Sequence, residues 1–208
     1  KDLSVLCKKN KKPLVVDIGC GAVIDFSKFS LPYEKTVDSY TKDGADIICF
    51  SGDKLLGGPQ CGIIAASTKE IREIKRNPLY RALRCDKYTY ALLESTLKTI
   101  IKNDEISDEN LTYKMFFKSR NDLRKVIEKV IKKVKNEIIQ KYNLEVVDTT
   151  VEAGSGSLPL QNIESCAISL TDSHPDRLKQ KFLNSPYPMI GYIKNKNLFF
   201  DFKAITDD

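Results

Sequence analysis

The chain has 208 residues, of which 41% are hydrophobic and 30% are charged, and its formal net charge is +6. Apolar residues run throughout, which excludes wholesale disorder, and the length allows one large domain or two small ones. No apolar run reaches the ~20 residues that a membrane-spanning helix needs, and no signal peptide is visible. The positive charge suits an anionic partner such as phosphate or nucleic acid, but lysines on solvated helix faces would give the same value.

The six cysteines are scattered along the chain, and the only histidine is His174. Because no C-x-x-C pair is present, the sequence predicts no metal site. Several cysteines lie in apolar runs, where a free thiol behaves as a small hydrophobic side chain. This usage indicates a reducing compartment, so we expect a cytoplasmic protein. The chain begins at Lys1 without an initiator methionine, and we therefore expect it to be part of a longer protein.

The first hundred residues are predicted to alternate between strands and helices. Three short, nearly continuous apolar runs predict strands covered on both faces, at 13–19, 44–52 and 61–67. A helix with Thr68 as its N-cap follows and ends before Pro78. Residues 86–104 are predicted to form a second helix with an apolar stripe of leucine and isoleucine.

The remaining residues predict a small α+β domain that begins with one long helix, at 112–142, whose other face carries lysines. A later helix is predicted at 174–185, and "KNKN" suits a hairpin turn. Four strands are predicted, at 143–150, 165–172, 189–195 and 197–205. The polar stretch "NDEISDEN" marks the boundary between a first domain, 1–104, and a second, 105–208.

The stretch "FSGDKLLGGPQ" places Lys54 directly after the second predicted strand, and Asp17 ends the first strand shortly before Gly19 and Gly21. A lysine in this position is usually a surface residue. A carboxylate at a buried strand end, however, is costly unless it is paired, and a protonated pyridine nitrogen is one good partner. Pyridoxal phosphate (PLP) uses such a carboxylate together with a lysine that binds its aldehyde as a Schiff base. Asp17 suits a turn or a helix N-cap as well.

A second basic pair lies in "PLYRALRCDK", where Arg81 and Arg84 are three residues apart and would share one face of a helical turn. Two neighbouring guanidinium groups make a multidentate site for a phosphate-like anion. An exposed basic helix end would give the same pattern.

Taken together, these stretches resemble a known family. "FSGDKLLGGPQCGII" followed by "NPLYRALRCDKYTYALLESTL" resembles bacterial selenocysteine synthase, the L-seryl-tRNA(Sec) selenium transferase. "VVDIGCGAVIDFSKFSLPYEKTV" is similar to that family's Asp-x-Gly-x-Gly region, and "EAGSGSLPLQNIESCAISL" to its glycine-rich segment. "MIGYIKNKNLFFDFKAI" is similar to its terminal hairpin, so the resemblance extends in order from residue 13 to the end.

The resemblance implies an α/β fold, specifically the C-terminal part of a fold-type I PLP-dependent transferase. Its large domain would be similar to aspartate aminotransferase, followed by a small α+β C-terminal domain. The implied cofactor is PLP, and the implied substrates are seryl-tRNA(Sec) and selenophosphate. The implied reaction forms selenocysteinyl-tRNA(Sec) by β-elimination and selenium addition, in an intact protein that is a homo-oligomer.

The resemblance also implies roles for individual residues. Lys54 would bind the cofactor covalently, and Asp17 would pair with the pyridine nitrogen. Ser51 would contact the cofactor phosphate, and Asp53 falls on an aspartate that the family needs for activity. Arg81 and Arg84 fall where the family binds the phosphate-like selenium donor.

This sequence departs from the family in small ways and in one large way. Cys20 stands where the family usually has serine, and Cys61 where it usually has alanine. The family's chain is considerably longer, and its N-terminal half, which engages tRNA, has no counterpart here. Two alternatives follow: a PLP-dependent ammonia-lyase acting on a phosphorylated amino sugar or sugar acid, and an inactive truncated interaction module that binds through the long basic helix.

Overall fold

The structure is a computed structural model that describes residues 2–102, 109–154 and 162–206. The chain divides into two compact units: unit 1 comprises Lys1–Lys114 and Ala153–Gln161, and unit 2 comprises Met115–Glu152 and Asn162–Asp208. The boundary predicted between residues 104 and 105 and most of the glycine-rich stretch "GSGSLPLQ" lie outside the described residues.

Unit 1 is built around a three-stranded sheet in the order β1-β2-β3, in which β1 and β2 are parallel and β2 and β3 are antiparallel. All three strands were predicted from the sequence. The elements are α1 (Asp2–Lys9), β1 (Val15–Gly19), a 3₁₀ turn (Phe26–Phe29), α2 (Val37–Lys42), β2 (Ile47–Ser51), β3 (Gly62–Ala66), α3 (Thr68–Arg76), α4 (Pro78–Leu83) and α5 (Lys87–Lys102). Helix α6 (Leu111–Phe117) begins in unit 1 and ends in unit 2.

Only one face of this sheet is well covered in unit 1, so the prediction of strands covered on both faces is wrong. Ile48 and Phe50 of β2 are buried on one face. On the other face Val15 of β1 is 56% exposed and Ile64 of β3 is 43% exposed. Because side chains alternate along a strand, every second position of all three strands shares this open face.

Side-chain caps set the limits of α3 and α4. Ser67, rather than the predicted Thr68, caps α3, because its hydroxyl accepts a hydrogen bond from the Lys69 amide. Asn77 ends α3 and begins α4: its side chain accepts from the Leu79 amide, and Pro78 occupies the first turn. A proline there lacks only an amide that the helix would leave unpaired.

Unit 2 contains a fully antiparallel four-stranded sheet in the order β4-β5-β7-β6. Helix α7 packs on β4 and β5, and α9 packs on β6 and β7. The predicted turn at "KNKN" is confirmed, because Asn195 and Lys196 both have positive φ, as a two-residue hairpin turn requires. The elements are α7 (Arg120–Ile131), α8 (Asn136–Lys141), β4 (Glu145–Val151), β5 (Ile163–Thr171), α9 (Pro175–Leu183), β6 (Tyr192–Lys194) and β7 (Asn197–Asp201).

The single long helix predicted at 112–142 is wrong, because the segment forms α6, α7 and α8. The Ser119 side chain accepts from the Asp122 amide and caps α7, which ends the preceding helix. The junction is also tied to the end of the chain, since Lys203 Nζ donates to the Lys118 carbonyl at 2.7 Å. Within α7, Leu123 and Ile127 are buried in the core of unit 2.

Two expectations from the sequence concern membrane spans and metal sites. Among the helices of the described residues, none combines the length and the apolar character that a membrane crossing demands. Within the described ranges, no cluster of histidine, cysteine and carboxylate side chains has the composition of a metal site. All six cysteines are free thiols.

Candidate active site

Lys54 lies in a loop that leaves β2 and returns into β3. Backbone hydrogen bonds close this loop: the Gly52 amide donates to the Cys61 carbonyl at 2.8 Å, and the Gly57 amide donates to the Lys54 carbonyl at 2.9 Å. Leu55 and Leu56 are 1% and 0% exposed, so they anchor the loop in the interior of unit 1. Lys54 is therefore presented by a fixed backbone rather than by a mobile surface turn.

Asn110 fixes the far side of the lysine loop. Its side-chain amide donates to the Leu56 carbonyl at 3.1 Å, and its side-chain oxygen accepts from the Tyr113 amide at 3.2 Å. A Cβ built on Gly57, whose φ is +69°, would lie 2.5 Å from that oxygen. Glycine at position 57 thus serves both the left-handed backbone and the close approach of Asn110.

The amine of Lys54 lies at the end of β1. Its Nζ is 3.8 Å from the point where a Cβ on Gly19 would stand, and the Leu55 amide donates to the Cys20 carbonyl at 3.2 Å. Asp17 adjoins the same glycine, since its Oδ1 accepts from the Gly19 amide at 3.0 Å. The Lys54 amine and the Asp17 carboxylate, which are predicted to act together, therefore both lie next to Gly19. The parallel pairing of β1 and β2 places the ends of these two strands side by side.

The burial predicted for Asp17 is not found, because this residue lies on the open face of the sheet and is exposed in unit 1. Asp17 pairs with Cys49 of β2, which in turn pairs with Ile64 of β3, so the three residues form a row across that face. Asp17 consequently faces the space above the sheet, where a ligand can reach it.

A cleft of about 660 Å³ opens above this face. The sheet forms one wall, and α4, the start of α5 and the turn between them form the other. Asp17, Ser51 and Arg84 line the cleft together. Lys54, Asp53 and Arg81 are not among its described lining residues, so the structure brings only part of the predicted set into one cavity.

Arg81 and Arg84 lie three residues apart at the C-terminal end of α4, as predicted. Helix α4 ends at Leu83, and Arg84 is its C-cap: its φ of −62° is helical and its amide donates to the Tyr80 carbonyl at 2.9 Å. Its ψ of 140° turns only the chain that follows away from the helix. Both arginines are exposed, and Arg84 is the one that reaches the cleft.

Three cysteines and two tyrosines also line the cleft and were not predicted as site residues: Cys49, Cys61, Cys85, Tyr80 and Tyr90. Burial raises the pKa of the Cys61 thiol, and the nearby Cys85 and Asp53 raise it further. Burial likewise raises the pKa of Cys49, to which Asp17 adds. The thiols of Cys49 and Cys61 are therefore neutral at neutral pH and add to the apolar lining. Hydrophobic periodicity could not relate the two tyrosines to each other, because they belong to different helices.

Comparison with known proteins gives a consistent result. The L-seryl-tRNA selenium transferase family matches residues 1–206 of this chain. The L-seryl-tRNA(Sec) selenium transferase of Mannheimia succiniciproducens is 32% identical over 99% of this chain and 45% of its own length. That of Clostridium botulinum strain Loch Maree is 33% identical over 100% of this chain and 45% of its own length.

Among solved structures, D-glucosaminate-6-phosphate ammonia-lyase is similar with a TM-score of 0.62, at 15% identity over 99% of this chain and 48% of that chain. This likeness shows that the two share an α/β fold. The chain spans less than half the length of the curated relatives that it matches. It belongs to the L-seryl-tRNA selenium transferase family.

Proposed function

We propose that this chain is the portion of a selenocysteine synthase that bears the cofactor lysine. The whole protein would convert seryl-tRNA(Sec) to selenocysteinyl-tRNA(Sec) with PLP as cofactor and selenophosphate as selenium donor. The observation that carries the proposal is that the Lys54 amine and the Asp17 carboxylate both lie next to Gly19, at the end of β1, which is parallel to the strand that precedes Lys54. Family membership supplies the substrate class.

The proposal extends to the architecture. Residues 1–104 would complete the PLP-binding large domain of a fold-type I enzyme, and residues 105–208 would form its small C-terminal domain. The intact protein would be a cytoplasmic homo-oligomer, and the remaining length of the family's chain would supply the parts that hold tRNA. The shared fold of the ammonia-lyase supports this architecture.

The residues present fit PLP. Within the described ranges the Lys54 amine has no hydrogen bond or ion pair, so it is available to bond to an aldehyde. One Asp17 oxygen accepts from the Gly19 amide, which leaves acceptor capacity on the carboxylate for a pyridinium N–H. Bound PLP would supply the electron sink that β-elimination and β-addition need.

Each residue then has a defined task. Lys54 Nζ would hold the cofactor and, as a free amine, would take the proton from the substrate Cα. Asp17 would keep the pyridine nitrogen protonated. Ser51, at the end of β2, would donate a hydrogen bond from its hydroxyl to the cofactor phosphate. Asp53, exposed beside Lys54, would assist proton transfer at the seryl hydroxyl.

The selenium donor is assigned to the opposite wall of the cleft. Arg84 lines the cleft and would bind the donor's phosphate oxygens through its guanidinium group. Arg81, in the last turn of α4, would add a second positive charge. A dianionic donor and two cations at the end of α4 are electrostatically complementary.

A second candidate is an ammonia-lyase acting on a phosphorylated amino sugar or sugar acid. The observation that favours it is the fold shared with D-glucosaminate-6-phosphate ammonia-lyase. The same lysine, carboxylate and arginine would serve that reaction. The identities of 32% and 33% to selenium transferases favour the first proposal. An inactive interaction module is disfavoured, since it needs neither the Lys54 amine nor the Asp17 carboxylate next to Gly19.

The test uses the full-length protein with Lys54→Ala, and Lys69→Ala, at an exposed lysine of α3, as the matched control. We expect visible absorption of bound PLP in the wild-type protein and in Lys69→Ala, and its loss in Lys54→Ala. Formation of selenocysteinyl-tRNA(Sec) should fall by at least about 10²–10⁴-fold in Lys54→Ala alone. Cofactor absorption with turnover only of a phosphorylated amino sugar acid would establish the second candidate. A wild-type protein without cofactor absorption would refute both.

A further inference from the structure

Two tyrosines without a role in the proposed reaction lie beside Arg84. Tyr80 belongs to α4 and Tyr90 to the first turn of α5. Their hydroxyl oxygens are 3.4 Å apart, and either one can be the donor. Both rings line the cleft that also holds Asp17 and Arg84. The hydroxyl groups of two side chains from different helices therefore meet on one wall of the cleft.

The turn between these helices is fixed at both ends, which holds the two phenols in place. The Arg84 amide donates to the Tyr80 carbonyl at 2.9 Å. On the other side the Asp86 carboxylate accepts from the Thr89 amide at 2.8 Å, and the Tyr90 amide donates to the Asp86 carbonyl at 3.2 Å. The backbone of Arg84 is thus linked to both tyrosines through a short, hydrogen-bonded turn.

A pair of phenols that share one hydrogen bond keeps one proton to donate elsewhere, because one hydroxyl donates and the other accepts. The hydrogen bond from Tyr80 and partial burial raise the pKa of Tyr90, while the nearby Arg84 lowers it in part. Tyr90 therefore remains a neutral donor at neutral pH. A neutral donor beside a guanidinium is suited to an oxyanion, which accepts hydrogen bonds from both.

We propose that Tyr80 and Tyr90 form, with Arg84, a phenol–guanidinium subsite for a tetrahedral phosphate-type oxyanion, occupied in the reaction by the phosphate group of the selenium donor. The inference deepens the proposed function and rests on it for the identity of the donor. The phenols position the oxyanion on the wall opposite Asp17, so that the donor's selenium faces the centre of the cleft. Arg84 supplies the charge, and the phenol pair supplies directional hydrogen bonds.

The experiment measures binding of inorganic thiophosphate, a stable tetrahedral analogue, to the full-length protein by calorimetry. The variants are Tyr80→Phe, Tyr90→Phe and the double variant, since each change removes one oxygen and keeps the ring. Tyr88→Phe is the matched control, because Tyr88 lies on α5, is 77% exposed and is not among the described lining residues. Arg84→Ala measures how much the guanidinium charge contributes to thiophosphate binding at the same subsite.

We expect thiophosphate to bind the double variant about 10- to 100-fold more weakly than the wild type, as the loss of a charge-assisted hydrogen bond predicts. Tyr88→Phe should bind as the wild type does. In turnover, the double variant should raise KM for selenophosphate and leave KM for seryl-tRNA(Sec) unchanged. Unaltered thiophosphate binding in the double variant, or no binding to the wild type, would overturn the inference.

Two further results would change the ligand that is assigned to the phenol pair. If the double variant loses affinity for PLP and not for thiophosphate, the phenols serve the cofactor phosphate, and the assignment to the donor is wrong. If the wild type binds thiophosphate through the phenols but forms no selenocysteinyl-tRNA(Sec), the proposed function fails, while the oxyanion subsite stands for another phosphate-bearing substrate.

Discussion

The two sheets of this protein are used in opposite ways. In unit 2, β5 is buried along its length except at Glu164 and Thr171, and α7 and α9 pack on the sheet to which it belongs. In unit 1, β1 leaves Val15 and Asp17 exposed, and the cleft opens above them. The comparison shows that side chains serve packing where a sheet is covered, and are available for ligands where it is open.

Polar groups follow the same division. In unit 2 the Asp201 carboxylate accepts from Ser165 Oγ at 2.5 Å, from Thr149 Oγ1 at 2.6 Å and from the Lys203 amide at 3.0 Å. Such a network satisfies its members internally, which buried polar groups require. In unit 1 the Lys54 amine is left without such a partner among the described residues. Polar side chains thus hydrogen-bond to one another in unit 2, whereas in unit 1 the Lys54 amine is available to bind a ligand.

The largest effect on stability is expected where packing is complete. Leu198 of β7 is 0% exposed in the core of unit 2, so Leu198→Ala should lower the free energy of unfolding by about 2–5 kcal/mol. Leu83→Ala, at a side chain that is 79% exposed in unit 1, should change it by less than about 0.5 kcal/mol. Urea unfolding of both variants measures the contrast, and equal losses would mean that the cleft side of unit 1, where Leu83 of α4 lies, is packed as closely as the core of unit 2.

A smaller difference, between two glycine variants, tests the covered face of the unit 1 sheet. Gly21 has φ +67°, and a Cβ built on it would lie 2.5 Å from the Phe50 ring. Gly154 has φ +74° with nothing within 4 Å, so it isolates the cost of the backbone conformation. Gly154→Ala should cost about 1–2 kcal/mol. Gly21→Ala should cost about 1–3 kcal/mol more because of the added crowding.

Thermal or urea unfolding compares these two glycine variants directly. Equal losses would mean that Phe50 yields without cost, and that the covered face of the unit 1 sheet is less rigid than the core of unit 2. A greater loss for Gly21→Ala would show that unit 1 is closely packed around Phe50.

The smallest effect concerns pH. Lys203 is 8% exposed, and burial lowers its pKa, partly offset by Asp201 and Glu164. Its pKa is therefore lower in the folded state than in the unfolded state, so the unfolded chain binds more protons between the two values. Stability should rise with pH through this alkaline window, from the lowered pKa up to the ordinary value of 10.5.

Lys203→Met should remove this contribution and flatten the alkaline part of the stability profile, measured as the free energy of unfolding between about pH 8 and about pH 11. Lys129→Met, at an exposed lysine of α7, is the control and should keep the slope of the wild type. An unchanged slope in Lys203→Met would show that the amine reaches solvent despite its burial.

Much of this fold could be predicted from local sequence. Continuous apolar runs placed β1, β2 and β3 correctly, and "KNKN" placed the β6–β7 turn. The stretch around Lys54 identified the family, which the match over residues 1–206 confirms. These features were accessible because each depends on a short segment: hydrophobic periodicity, a turn that requires positive φ, or a motif that brings a lysine to a strand end.

Only the tertiary structure decided the rest. The helix predicted at 112–142 is interrupted because the Ser119 side chain caps α7 and Lys203, from the far end of the chain, binds the Lys118 carbonyl. Of the two arginines at the end of α4, Arg84 rather than Arg81 lines the cleft, and the hydroxyl groups of Tyr80 and Tyr90 met although they lie ten residues apart on separate helices. The sequence determined which groups carry chemistry, whereas long-range packing decided which sheet face stays open and which of those groups meet, because such contacts join residues that no local pattern relates.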